Sequence, residues 1–163
     1  MKVVDSGLKI DLYVHSVNSR GKDKAKVAFN TLENINVLAE KLNANGVQIC
    51  AITDHDMFDY AMYSRLKDYE IDQNSSIVKV FPGIEFSVEF QGDNGGIVVH
   101  VIAIFNDEDD EKVKGISNCL VDCNGAINYD RGTAFSEERF LSILRPRVYR
   151  AASGRKRSHR ILD

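Results

Sequence analysis

Apolar residues recur along the chain with two periodicities, one typical of strands and one typical of helices. Short apolar or alternating runs predict strands at 9–14, 47–52, 77–81, 84–90 and 97–105. Apolar residues three or four positions apart predict helices at 32–42, 59–69, 107–120 and 136–144. Thr31 fits the N-cap of the first helix and Gly46 fits its stop. Strands that alternate with helices predict an α/β fold, with a parallel or mixed sheet that is open or curled into a barrel.

The composition is that of an ordinary globular domain. The chain has 163 residues, enough for one domain with a core, of which 44% are apolar and 28% are charged. No apolar run approaches the roughly 20 residues that cross a bilayer. Residues 1–12 also lack the pattern of a signal peptide. We therefore expect a cytoplasmic protein with no membrane partner.

The three cysteines favour reduced thiols. Cys50 lies in an apolar run that is typical of a core. Cys119 and Cys123 are four residues apart, but the two further ligands of a zinc knuckle are missing nearby. An odd count without paired spacing fits a reducing compartment.

Charge is distributed unevenly between the last 19 residues and the rest. Seven basic residues and one acidic residue give 145–163 a net charge of +6. Because the whole chain carries −3, the preceding 144 residues carry −9. The basic segment is either a nucleic-acid-binding tail or a disordered or foreign end. We favour the second interpretation, since residues 145–163 are poor in apolar residues and begin with Arg145-Pro146-Arg147.

Histidines and one carboxylate mark the candidate chemistry. His15, His55 and His100 fall at or inside the ends of predicted strands, and Glu85 lies within an apolar strand. A carboxylate is costly to bury unless a partner such as a metal compensates its charge. In α/β folds, functional residues gather at the carboxyl ends of strands. A mixed set of nitrogen and oxygen ligands suits zinc, manganese or iron.

Each of these residues also has a plain structural interpretation. His100 alone fits a hydrogen-bonded core histidine, Asp54-His55-Asp56 fits a helix-capping turn, and Glu85 fits an ion pair with a basic side chain. The matching positions of the residues favour the metal site. Asp11 and Asp54 are then candidates for orienting the imidazoles by accepting their other N–H groups.

Four short motifs resemble, in order, those of the PHP (polymerase and histidinol phosphatase) domain family. They are Asp11–Ser16, Ile52–Asp56, Pro82–Glu85 and Val99–Ala103. The resemblance covers about Lys9 to Phe105, extends weakly to Leu144, and is strongest to PHP modules that head larger ATPase-like chains. It implies a distorted seven-stranded β/α barrel whose rim binds up to three metal ions. It also implies hydrolysis of phosphomonoesters or phosphodiesters, and some members accompany bacterial replicative polymerases.

The resemblance assigns roles by position. His15 matches the second histidine of the first motif, His55 the histidine after the Thr-Asp pair, and His100 the histidine of the following strand. Glu85 matches the carboxylate that bridges two metal ions. Asp54 and Glu85 would be the catalytic residues, with Asp54 orienting a ligand or accepting a proton.

Three departures from the family pattern accompany these matches. Tyr13 stands where the family has a histidine, and a neutral tyrosine with a pKa of about 10 is a poorer ligand. Ser19 and Arg20 stand where many members carry an aspartate or histidine. Arg20 either contacts a substrate phosphate or is a solvated surface charge.

The third departure is the C-terminal end, where the family's last strands supply a histidine and an Asp-x-His pair. We expect residues 1–144 to form a truncated PHP-like domain, with an incomplete barrel, followed by the tail 145–163. Open sheet edges would then favour a homodimer or domain swapping.

The resulting functional prediction is a metal-dependent phosphoesterase whose substrate is a nucleic acid, a nucleotide or another phosphoester. The alternative is a catalytically degenerate PHP module that serves as a metal-binding or interaction domain of a larger nucleic-acid-related protein. A nucleic-acid-binding protein that uses the basic tail is a third interpretation.

Overall fold

A computed structural model describes residues 7–19, 25–92, 95–120 and 134–144 of the chain. The strands are β1 (Ile10–Val14), β2 (Ile49–Ile52), β3 (Lys79–Gly92), β4 (Gly95–Ile104) and β5 (Phe135–Ser136). The helices are α1 (Ile35–Ala44), α2 (Tyr60–Lys67), α3 (Asp110–Lys114) and α4 (Glu137–Leu144), and 3₁₀ turns follow α2 and α3. Arg20, Cys123 and the basic segment 145–163 lie outside the described residues.

The strands form one mixed sheet in the order β1-β2-β3-β4, with β5 also paired to β3. β1, β2 and β3 run parallel, and β4 runs antiparallel to β3. The α/β fold predicted from the alternation of strands and helices is thereby confirmed. Among the helices that the structure describes, none has the length and apolar character that a membrane span requires.

β3 is one strand of 14 residues, where the sequence predicted two strands separated by Pro82-Gly83. The ladder with β2 ends at the pair Ile52 and Pro82, and the ladder with β4 begins at the pair Gly83 and Ile104. The proline therefore stands where β3 changes neighbours, so its missing N–H interrupts neither ladder. A Cβ at Gly83 would lie 2.8 Å from the Thr53 Cγ2 atom, which explains the glycine.

Helix α1 also differs from its prediction. It begins at Ile35, and Asn34 is its capping residue in place of the predicted Thr31. Thr31 belongs to a preceding turn, in which the carbonyl oxygen of Thr31 accepts a hydrogen bond from the N–H group of Asn34 at 3.1 Å. The predicted stop is confirmed, since Gly46 adopts a φ of +65°, which favours glycine. The predicted helix at 107–120 is a short α-helix followed by a 3₁₀ turn.

The core lies on one face of the β3–β4 ladder. Phe86 is fully buried and packs against Phe135 and Phe140, with ring centroids 5.4 and 5.3 Å apart. Side chains alternate along a strand, so Glu85 and Ser87 project from the opposite face. The helices contribute the apolar side chains Ile35, Leu38, Leu42, Met62 and Leu66.

Cys50 belongs to this core, as its apolar surroundings in the sequence predict. It is a fully buried free thiol. Burial, and then the charges of Asp11 and Glu70, raise the pKa of Cys50 to about 12. The thiol therefore stays protonated at neutral pH and acts as a small apolar side chain.

Candidate metal centre

The parallel strands bring three candidate ligands to one edge of the sheet. His15 follows β1 and His55 follows β2, while Glu85 lies in β3 where an isolated bridge pairs it with His55. Two backbone hydrogen bonds fix this bridge, from Asp56 N to Glu85 O at 2.8 Å and from Glu85 N to Asp54 O at 3.2 Å. The local backbone thus extends β2 by a few residues and holds the His55 side chain beside that of Glu85.

The ligand atoms of His15, His55 and Glu85 all lie within 4.8 Å of one another. His15 Nε2 is 3.3 Å from Glu85 Oε2, and His55 Nε2 is 3.4 Å from the same oxygen. The two imidazole rings stack with centroids 4.8 Å apart and an interplanar angle of 20°. All three residues are buried, with exposed fractions of 8%, 8% and 1%.

Three polar atoms at the centre of this cluster have no hydrogen-bond partner among the described residues: His15 Nδ1, His15 Nε2 and Glu85 Oε2. A buried polar atom without a partner costs about 1–3 kcal/mol, and more when it is charged. A cation between the imidazoles and the carboxylate would compensate the charge of Glu85 and engage Glu85 Oε2 and one ring nitrogen of His15. The buried group of His15, His55 and Glu85 could therefore hold a metal ion.

Ser19 supports one of these imidazoles. Its buried hydroxyl lies 2.7 Å from His55 Nδ1. In the tautomer that leaves His55 Nε2 free for a metal, the Nδ1–H group donates to Ser19 Oγ. In the sequence, Ser19 stands out only as a departure from the family pattern, because a serine four residues after His15 carries no recognisable signal.

Asp54 lies next to the cluster and outside it. Its side chain is buried and accepts hydrogen bonds from the N–H group of Ser16, at 2.6 Å, and from the Ser16 hydroxyl. Burial raises the pKa of Asp54 above its ordinary value, and the two hydrogen bonds from Ser16 oppose that rise. The Oδ1 atom is 3.9 Å from His15 Nδ1, which is too long for a hydrogen bond.

His100 and Tyr13 approach the other oxygen of Glu85. His100 Nδ1 is 2.5 Å from Oε1, and the Tyr13 hydroxyl donates to the same atom at 3.4 Å. The side chain of His100 is 50% exposed, so it is not the core histidine of the plain interpretation. Among the four ligands predicted from the sequence, His15 and His55 thus lie against Oε2 of Glu85, the third ligand. The fourth, His100, lies against Oε1.

The remaining candidate site residues from the sequence either make local hydrogen bonds or lie outside the described residues. Asp11 accepts a hydrogen bond from the N–H group of Tyr13 at 3.1 Å. Arg20 is outside the described residues. Asp56, the last residue of the Asp54-His55-Asp56 motif, has a structural role, because its Oδ1 atom accepts from the N–H group of Ser87 at 2.7 Å. Its φ of +53° is a left-handed conformation that aspartate tolerates better than most residues do, and it ends the extension of β2.

A groove of about 530 Å³ opens beside the cluster, and Tyr13 and His15 form part of its wall. It runs along β1 and α1, with an apolar lining that includes Val14 and Leu38. Three lysines also line it: Lys9, Lys26 and Lys41. Its size suits a small organic ligand, and its basic side chains favour an anionic one.

No protein-family model matches the chain, and no curated protein matches it. The PHP resemblance therefore depends on the four sequence motifs alone.

Proposed function

We propose that this protein is a metal-dependent phosphoesterase of PHP type. The observation that carries the proposal is the buried cluster of His15, His55 and Glu85, in which both ring nitrogens of His15 and the Oε2 atom of Glu85 lack hydrogen-bond partners among the described residues. Such atoms are expected in a site whose stable form contains a cation. Three protein ligands also leave a coordination position for water or substrate, as catalytic metal sites require.

Zinc, manganese or iron is the proposed ion. Two imidazole nitrogens and one carboxylate oxygen form a ligand set between hard and soft in character, and these metals bind such ligands. A bound ion would supply Lewis-acid polarisation of a phosphoryl oxygen and would lower the pKa of a bound water molecule towards about 7. The ligand set carries one negative charge, from Glu85, so a divalent ion keeps the site positive and attractive to phosphate.

The groove supports an anionic substrate larger than phosphate itself. Lys9, Lys26 and Lys41 line it, and its wall includes His15. A phosphoester whose reacting group lies at the metal centre would place its leaving group along this groove, among the lysines. Nucleotides and nucleic-acid ends meet this description, because they carry phosphates on a partly apolar body.

The proposal extends to the fold and to assembly. The parallel order β1-β2-β3, with His15 and His55 just after the ends of β1 and β2, supports a PHP-like β/α barrel. In the described part of the chain, β4 is an edge strand, since it pairs only with β3. β4 contains neither proline nor a charged acidic or basic residue, and Ile97 and Val98 on it are 63% and 53% exposed. Such an edge favours a homodimer, which a rise in mass with concentration in sedimentation experiments would reveal.

The experiment that tests the function combines chelation with two matched histidine variants. Protein stripped of metal is reloaded with zinc, manganese or iron and assayed on p-nitrophenyl phosphate and bis-p-nitrophenyl phosphate. We expect hydrolysis that chelator abolishes and that His55→Gln abolishes, while His159→Gln in the basic segment leaves it intact. Chelator-resistant hydrolysis, or equal activity in His55→Gln and wild type, would refute the proposal.

A second candidate function is a metal-binding interaction module without catalysis. Tyr13 favours it, because this residue stands where the PHP pattern has a histidine and its hydroxyl contacts Glu85. The module would bind metal with the same residues and hydrolyse neither substrate. Metal binding by wild type that is lost in His55→Gln, without measurable turnover in either protein, would favour this candidate.

A further inference from the structure

The two oxygens of Glu85 have different surroundings. Oε1 lies 2.5 Å from His100 Nδ1 and accepts a longer hydrogen bond, of 3.4 Å, from the Tyr13 hydroxyl. Oε2 faces His15 Nε2 and His55 Nε2 and has no hydrogen-bond partner among the described residues. One oxygen of the carboxylate is therefore engaged by the protein, and the other is presented to the two buried imidazoles.

A carboxylate that bridges two metal ions gives one oxygen to each ion. The short contact between His100 and Oε1 has the length of a charge-assisted hydrogen bond, which is among the stronger polar contacts in proteins. We propose that this chain binds a single divalent ion, through His15 Nε2, His55 Nε2 and Glu85 Oε2. In this arrangement His100 is a positioning residue that donates to Glu85, and it is not a metal ligand. The inference rests on the proposed metal site and differs from the bridging Glu85 and the fourth ligand that the PHP resemblance implies.

The residues around Oε1 also form a poor second site. The Tyr13 hydroxyl is already engaged, because it donates to Oε1 at 3.4 Å. The His100 side chain is 50% exposed, whereas those of His15 and His55 are 7% and 10% exposed. Asp54, the acid next to His55 in the sequence, already accepts hydrogen bonds from Ser16 through both oxygens. A second ion would therefore have to break established hydrogen bonds to gain its ligands.

The first test counts ions and asks whether they are coupled. Manganese-loaded protein is dialysed, its metal content is measured by elemental mass spectrometry, and its EPR spectrum is recorded. We expect one tightly bound ion per chain with the spectrum of an isolated Mn²⁺. An exchange-coupled pair would refute the single-ion inference and leave the phosphoesterase proposal standing. Absence of tight binding by zinc, manganese and iron alike would refute both.

The second test separates a positioning histidine from a ligand. His100→Gln keeps a donor that can reach Glu85, and we expect its metal affinity to stay within about tenfold of wild type, at the lower end of the loss from a supporting hydrogen bond. His55→Gln removes a ligand, and we expect its metal affinity to fall by more than about 100-fold, which is the upper limit for the loss of a supporting hydrogen bond. Equal losses in the two variants would show that His100 binds the metal directly and would overturn the inference. Circular dichroism of both metal-free variants checks that their folds are comparable.

Discussion

Glu85 and Asp107 are both acids with little exposure, and their partners differ in kind. The Asp107 side chain is 10% exposed and accepts hydrogen bonds from the ammonium groups of Lys67 and Lys79. The Glu85 side chain is 2% exposed, its nearest partners are imidazoles, and its Oε2 atom has no hydrogen-bond partner among the described residues. Asp107 thus has its compensating cations within the chain, whereas the cation proposed for Glu85 would come from outside it. The comparison sets an acid with a structural role beside an acid that is proposed to bind a metal.

The largest expected effect comes from removing the charge of Glu85. Glu85→Gln should abolish tight metal binding, because it replaces the only anionic ligand of the cluster by a neutral amide. At a metal concentration of 100 times Kd, wild type gains about 2.7 kcal/mol of stability from the ion, and the variant should gain none. Denaturant unfolding with and without metal measures this gain.

The control for that measurement is the other acid. Asp107→Asn should retain the full metal-induced gain, even if its metal-free stability is lower. A gain lost equally in both variants would remove the distinction between a binding acid and a structural one. Glu40→Gln, at an exposed position in α1, controls for the change of net charge.

A smaller effect is expected at Ser19, which orients His55. Ser19→Ala should weaken metal binding by about 10–100-fold, because the imidazole loses the partner of its Nδ1–H group. Competition with a chromophoric chelator measures the affinity. Ser142→Ala, at an exposed position in α4, should leave the affinity unchanged, and a similar loss in that control would exclude a specific role for Ser19.

Asp107→Asn should lower the free energy of unfolding of metal-free protein by about 1–2 kcal/mol. Hydrogen bonds to charged groups contribute about 1.5–3 kcal/mol, and the value is reduced here because the two lysines are 34% and 30% exposed and partly screened by solvent. Urea denaturation measures the loss. Asp68→Asn, which removes the exposed ion pair with Arg65, should change stability by less than about 0.5 kcal/mol.

The smallest expected effect is the pH dependence of the contribution that Asp107 makes to the free energy of unfolding. Burial raises the pKa of Asp107, but the hydrogen bonds from Lys67 and Lys79 outweigh it and hold the pKa below its ordinary value. The stabilisation is therefore complete above the ordinary pKa of about 3.9 and is lost as the pH falls through the lower folded-state pKa. The stability difference between wild type and Asp107→Asn should be constant near neutral pH and shrink in acid. A difference that grows on acidification would contradict the assignment.

The sequence predicts the candidate ligands better than it predicts their roles. His15 and His55 could be selected because they follow parallel strands, whose carboxyl ends lie at one edge of a sheet. Glu85 could be selected as a carboxylate within an apolar strand, where its burial requires a partner. The assignment of each histidine to one oxygen of Glu85 depends on side-chain distances that no spacing rule contains. The contact of Ser19 with His55 is equally hidden, because it joins residues 36 positions apart through a loop.

The fold shows the same limit. Alternating strands and helices predict an α/β domain, because each element must bury one apolar face. The continuity of β3 through Pro82 could not be read from the sequence, since it depends on two partner strands that change over at that residue. β5 is only two residues long, too short to produce a periodic signal. The ion cluster of Asp107 likewise joins residues 40 and 28 positions apart.

The long β3–β4 hairpin also has a consequence for the order in which the protein folds. His100 and Glu85 are only 15 residues apart and meet when this hairpin closes, whereas Tyr13 lies 72 residues from Glu85. Contacts between nearby residues close with less loss of chain entropy and form faster. We therefore expect the hairpin to form before β1 docks, and we expect the complete ligand set to exist only after docking. Metal binding would then report the final step of folding. When refolding is monitored by metal uptake, it should be slower than when it is monitored by the formation of β-structure.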